Sequence, residues 1–223
     1  MIIKICGITS VEDALLALEE GANALGFNFW PSSARYLPPP EADEIIARAR
    51  RYFDRGSFLT VGILVGAEGW QDAPTDVLQF HGLTDLGSVP ETGRRTWVAV
   101  NLETADRFPS SEIVIDGSWG QGEVADWDGL SRLRRPFILA GGLTPDNVGK
   151  AIRHLHPAGV DVCSGVEKCP GRKDPGKLKQ FLREVKHATP RIMPRINAEM
   201  PRISADKSMP RIGAEKPRIS AEE

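Results

Sequence analysis

A cysteine closes the first apolar run of this chain and an aspartate closes a later one, each followed at once by glycine. Ile2-Ile3-Lys4-Ile5-Cys6 leads into Gly7, and Ile113-Val114-Ile115-Asp116 leads into Gly117. A thiol or carboxyl group at a strand end, beside a turn, is placed to act as a reagent. Each also has a plainer reading: Cys6 as a small core residue, Asp116 as an acceptor of turn N–H groups. Arg35 adds a cation in the segment after the second apolar run. Glycines add room for an anion. Gly141-Gly142 follows one apolar run and Ser164-Gly165 the next. Turns needing positive φ explain each glycine singly. Their joint placement is better explained by backbone N–H groups that approach a phosphate.

These residues need strands to hold them. Apolar runs occur at Ile2–Cys6, Ala24–Phe29, Phe58–Val65, Asp76–Phe80, Thr96–Val100, Ile113–Asp116, Phe137–Ala140 and Val160–Cys163. Helical spacing predicts helices over Val11–Glu20, Glu41–Tyr52, Thr144–His154 and Asp174–His187, and a weak, short helix after Val65. Near-continuous apolar strands suit a parallel sheet covered on both faces. Eight repeated βα units in one small domain predict an α/β fold, a single (βα)8 TIM barrel with some short or missing helices. An open doubly wound sheet is the rival. In a barrel the strand C-termini and the loops after them carry the active site. Lys4 shares the strand phase of Cys6, so it is expected inside the barrel, paired with Asp161.

The composition narrows the partners. A formal net charge of −2 gives no general pull toward nucleic acid or an anionic membrane. No apolar run reaches the roughly 18 residues of a membrane span. The opening residues read as a strand rather than an export signal. Cys6, Cys163 and Cys169 match no zinc spacing and cannot all pair, so free thiols in a cytoplasmic protein are expected. Cys163 and Cys169 are expected to be replaceable with little effect on catalysis. The expected partner is a small phosphorylated molecule, and the chain is expected to be a monomer or a homodimer.

Near residue 188 the composition changes. Pro-Arg-Ile recurs at 190–192, 194–196, 201–203, 210–212 and 217–219. Such short, proline-rich repeats cannot bury a face against one another. The expected organisation is a barrel domain over 1–187 and a disordered tail over 188–223.

The pieces together resemble the phosphoribosylanthranilate isomerase family of tryptophan biosynthesis. The resemblance rests on Lys4-Ile5-Cys6-Gly7-Ile8-Thr9, Gly26-Phe27-Asn28-Phe29 with Ser32-Ser33-Ala34-Arg35-Tyr36, and Gln79-Phe80-His81-Gly82. Gly141-Gly142-Leu143 and Asp161-Val162-Cys163-Ser164-Gly165-Val166-Glu167 extend it, then Pro170-Gly171 and Lys173-Asp174. The resemblance implies an Amadori rearrangement of N-(5-phosphoribosyl)anthranilate without metal or organic cofactor. It implies that Asp116 is the general acid and Cys6 the general base. Arg35 would pair with the anthranilate carboxylate, and Gly141, Gly142, Ser164 and Gly165 would hold the phosphate. One stretch departs from the family pattern. After the sixth strand the chain reads Trp119-Gly120-Gln121-Gly122-Glu123-Val124-Ala125-Asp126-Trp127, with Gln121 in place of a hydroxyl residue and Ala125 in place of an aromatic. The alternatives are a related phosphosugar isomerase of histidine biosynthesis, a dual-substrate barrel, or a catalytically silent phosphate-binding barrel.

Overall fold

Eight parallel strands pair in sequence order, and the last returns to the first, so the sheet closes into a barrel with no edge. The structure is a computed structural model and describes residues 1–54, 56–116 and 127–189. The strands are β1 (Ile2–Ile5), β2 (Ala24–Asn28), β3 (Leu59–Val65), β4 (Val77–His81), β5 (Arg95–Val100), β6 (Glu112–Asp116), β7 (Ile138–Ala140) and β8 (Gly159–Val162). All eight expected strands are present, and the open sheet is excluded. The helices are α1 (Val11–Glu19), α2 (Pro39–Tyr52), α3 (Trp127–Leu130), α4 (Val148–Leu155) and α5 (Pro175–Ala188). After β4 and β5 only single 3-10 turns stand where helices would be, at Leu86–Ser88 and Ala105–Arg107.

The weak helix expected after Val65 is absent. Two glycines there, Gly66 and Gly69, adopt φ of 76° and 73°, left-handed values that no right-handed helix accommodates. The segment is held instead by Arg94, whose guanidinium stacks on Trp70 and donates to the carbonyls of Trp70 and Ala73. A second difference follows β8. A short hairpin forms there, β9 (Glu167–Cys169) with β10 (Arg172–Lys173). Its charged residues carry no apolar alternation by which a strand is read.

Strand alternation sorts the apolar residues into two cores. One lies between sheet and helices and includes Leu25, Phe27, Leu78, Phe80, Val160 and Phe181. The smaller one fills the barrel, with Ala24, Val61, Val77, Trp97, Val114 and Ile138. Two helix starts are capped by side chains: Ser10 accepts from the Asp13 N–H, and Asp174 from those of Gly176 and Lys177. Helix α5 runs through Ala188, which is buried. The rest of the expected tail, from 190 on, lies outside the described residues, as does the atypical stretch from 117 to 126. No helix among the described residues is long and apolar enough to cross a membrane.

Candidate active site

Above the apolar plug the barrel interior turns polar, because the inward positions of successive strands carry polar side chains there. Lys4 and Cys6 share a phase on β1 and the turn after it, as do Gln79 and His81 on β4, and Asp161 and Cys163 from β8 outward. Asn28 ends β2 and Asp116 ends β6. Together these side chains, except Lys4, line a cavity of about 150 Å³ at the C-terminal mouth, with Arg35, Gly141, Gly142 and Ser164 at its rim. Cys6 and Asp116, read from opposite parts of the sequence, therefore face one cavity.

Lys4 forms the floor. Its ammonium meets Asp161 at 2.6 Å, with side-chain exposures of 0% and 8%. The two are register partners across the β1–β8 seam, so the expected pair is present. Burial alone would discharge the lysine, but the carboxylate of Asp161 and the thiolate of Cys6 hold its pKa above the ordinary lysine value. Burial pushes Asp161 up to about 7, against the pull of Lys4. Beside them the Gln79 amide nitrogen lies 2.9 Å from His81 Nε2. Burial, then the charge of Lys4, lowers the imidazole pKa, so His81 is neutral at physiological pH.

The rim is organised around Glu167. Its carboxylate accepts from Arg35 at 2.7 to 3.2 Å, from Lys173 Nζ at 3.0 Å and from the Gly171 N–H at 3.2 Å. Arg35 and Lys173 outweigh the cost of burial and hold Glu167 below the usual carboxylate range. Hydrogen bonding to Glu167 raises the Arg35 pKa, so the guanidinium is permanently charged. Lys173 also donates to the Cys6 carbonyl at 2.6 Å, tying the hairpin to the end of β1. Cys6 itself lies well below the ordinary thiol value. The neighbouring Cys163 thiol is the largest cause, burial opposes it, and Lys4 and Lys173 add to the lowering. Sequence reasoning missed Glu167, Lys173 and Cys163 as parts of this site. Their signal lay in strand phase and in the run after β8, where a glutamate and a lysine sit six residues apart.

The glycine loops meet at the same mouth. Gly141 and Gly142 adopt φ of 83° and 61°. Gly165 does not line the cavity, but a Cβ there would lie 1.9 Å from the Leu143 carbonyl oxygen. Only glycine lets the loops after β7 and β8 pack so closely. Ser164–Val166 forms one 3-10 turn at that contact.

Residues 3–184 match the family model described as N-(5'phosphoribosyl)anthranilate (PRA) isomerase. A relative from Geotalea uraniireducens, N-(5'-phosphoribosyl)anthranilate isomerase, is 38% identical over 203 residues, covering 82% of this chain and 98% of that protein. The crystal structure of phosphoribosyl anthranilate isomerase from Thermotoga maritima is similar at a TM-score of 0.72 and 33% identity, covering 84% of this chain and all of that one. A structure of such an isomerase in complex with reduced 1-(o-carboxyphenylamino)-1-deoxyribulose 5-phosphate matches at a TM-score of 0.70 and 32% identity, over 84% of this chain and 100% of that one. The chain thus belongs to the N-(5'-phosphoribosyl)anthranilate isomerase family, enzymes that carry out the Amadori rearrangement of tryptophan biosynthesis.

Proposed function

We propose that Cys6 and Asp116 carry the two proton transfers of this rearrangement. Asp116 is the general acid. It gives a proton to the ribose ring oxygen, and the ring opens to a Schiff base. Cys6 is the general base. As a thiolate it takes the proton from C2′, and the resulting enolamine tautomerises to the ketone of 1-(2-carboxyphenylamino)-1-deoxyribulose 5-phosphate. The observation that carries this reading is that both side chains line one cavity while its electrostatics favour the thiolate of Cys6. An ordinary thiol, with a pKa of about 8.5, is only a few per cent thiolate near neutrality.

Arg35 is proposed to bind the anthranilate carboxylate. Glu167 takes its Nε and Nη2, which leaves the Nη1 side of the fork for a planar anion. Gly141, Gly142, Ser164 and Gly165 are proposed to hold the phosphate, through backbone N–H groups and, for Gly165, through the close packing it permits. The reaction then needs one anchored anion at each end of the substrate and two proton carriers between them.

The protein is further proposed to act in the cytoplasm, with catalysis confined to the barrel domain, 1–187, and the tail, 188–223, making no contribution to turnover. Because Ala188 is packed and Thr189 ends the helix, the tail is best removed after Thr189. The test follows the loss of anthranilate-type fluorescence from phosphoribosylanthranilate. The full chain and the truncated chain should turn over alike. Cys6→Ala and Asp116→Asn should each abolish nearly all turnover while a product analogue still binds. Near-normal rates in either variant would defeat the assignment.

A further inference from the structure

Two thiols stand side by side at this mouth, and the reaction uses one of them. We propose that Cys163 is a positioning residue: its thiol donates a hydrogen bond to Cys6 Sγ, holding that sulfur as the charged partner aimed into the cavity. This deepens the reading of Cys6 as the base and revises the expectation that Cys163 is replaceable.

The backbone brings the pair together. Ile5 is in register with Val162, and the Cys6 N–H donates to the Val162 carbonyl at 2.9 Å. Cys6 and Cys163 are therefore the next pair along neighbouring parallel strands, about 4.8 Å apart in the hydrogen-bonding direction. Both line the cavity. The turn at Gly7 closes over them: with φ at 70°, a Cβ on Gly7 would come within 3.0 Å of Cys163 Sγ.

The surroundings decide which sulfur keeps the proton. Cys163 Sγ is within long donor reach of Glu167 Oε1, at 3.7 Å, and that carboxylate disfavours a second negative charge beside it. That oxygen already accepts from Arg35, Lys173 and Gly171, so the single thiol proton is better used on Cys6. Cys6 has cations near it, Lys4 below on β1 and Lys173 above on β10, and Arg35 across the rim adds to them. Asp161 from β8 opposes a charge on Cys6, His81 on β4 faces it as a neutral ring, and Asp116 on β6 shares the cavity. The titration behaviour agrees. The neighbouring thiol is the largest influence on each, lowering Cys6 well below the ordinary thiol value and raising Cys163 well above it.

The test uses the full chain and its Cys163→Ala and Cys163→Ser variants. The pH dependence of Cys6 alkylation by iodoacetamide is read by mass spectrometry of the peptide containing Cys6, alongside the pH profile of kcat/KM. In Cys163→Ala the alkylation midpoint should rise by about one unit, a tenfold loss of thiolate at pH values well below both midpoints. The acid limb of kcat/KM should move with it, and the rate should recover at higher pH. In Cys163→Ser, whose hydroxyl still donates, most of the shift should vanish. Cys169→Ser, at an exposed position, should leave both profiles in place. An unmoved midpoint in Cys163→Ala, or equal shifts in the alanine and serine variants, would overturn the proposal. Turnover of Cys6→Ala tests the base assignment separately, since alkylation reads the thiol whether or not it is the base.

Discussion

The two mouths of the barrel are built from the same eight strands and differ in what the inward positions carry. At the N-terminal mouth Trp97 is fully buried among Val61, Val77, Val114 and Ile138. Its indole N–H donates to Glu112 at 2.9 Å, and Arg95 stacks on its ring and pairs with the same carboxylate. At the C-terminal mouth the inward positions are Cys6, Asn28, His81, Asp116 and Cys163, around a cavity rather than a ring of aromatic carbon. One end spends its inward side chains on packing and the other on polar groups that packing does not need. The barrel's stability and its chemistry are therefore separable by mutation.

The largest expected effect lies at the polar mouth. Cys6→Ala should lower turnover by about 10²- to 10⁴-fold, the usual worth of one positioned proton carrier, while denaturant unfolding changes little. A comparable loss of stability would blur the contrast. At the other mouth Trp97→Ala should cost about 3–5 kcal/mol, because a large core side chain is replaced by a cavity. The surviving folded enzyme should keep its pH profile and KM. A changed KM would mean that the plug also shapes the site.

Glu167→Gln sharpens the comparison, since this carboxylate belongs to both the framework and the rim. It should cost about 1.5–3 kcal/mol through its charged hydrogen bonds and raise KM by loosening Arg35. The sign of the pH effect is set by a carboxylate held below its ordinary value. Its stability contribution is complete above the unfolded glutamate pKa and is lost as pH falls through the folded value. Acid unfolding of the variant should therefore be less steep than that of the parent. Arg95→Ala should matter least, under about 1 kcal/mol by denaturant melt, because its ion pair is largely exposed.

The legible and illegible parts of the sequence follow the same division. Each barrel strand is buried on both faces, so β1 to β8 stand out as apolar runs, and the phase of β1 places Lys4 on the side of Cys6, where its pairing with Asp161 is expected. The hairpin of β9 and β10 is short, charged and lies over the rim, so hydrophobic periodicity carries no trace of it. With it went Glu167 as the partner of Arg35, and Lys173 as a neighbour of Cys6. Cys163 stayed illegible as part of the site for a related reason. Its proximity to Cys6 joins the two ends of the barrel sheet, a relation 157 residues long that only the closed register of β1 on β8 reveals.

That seam bears on how the molecule is made. Lys4 emerges with the first strand and Asp161 with the last, and an ammonium without its counter-ion is expensive to bury. A growing chain therefore cannot seal its interior early. The ring should stay ajar until translation has delivered β8, and the pocket should come into being in that one late step rather than strand by strand.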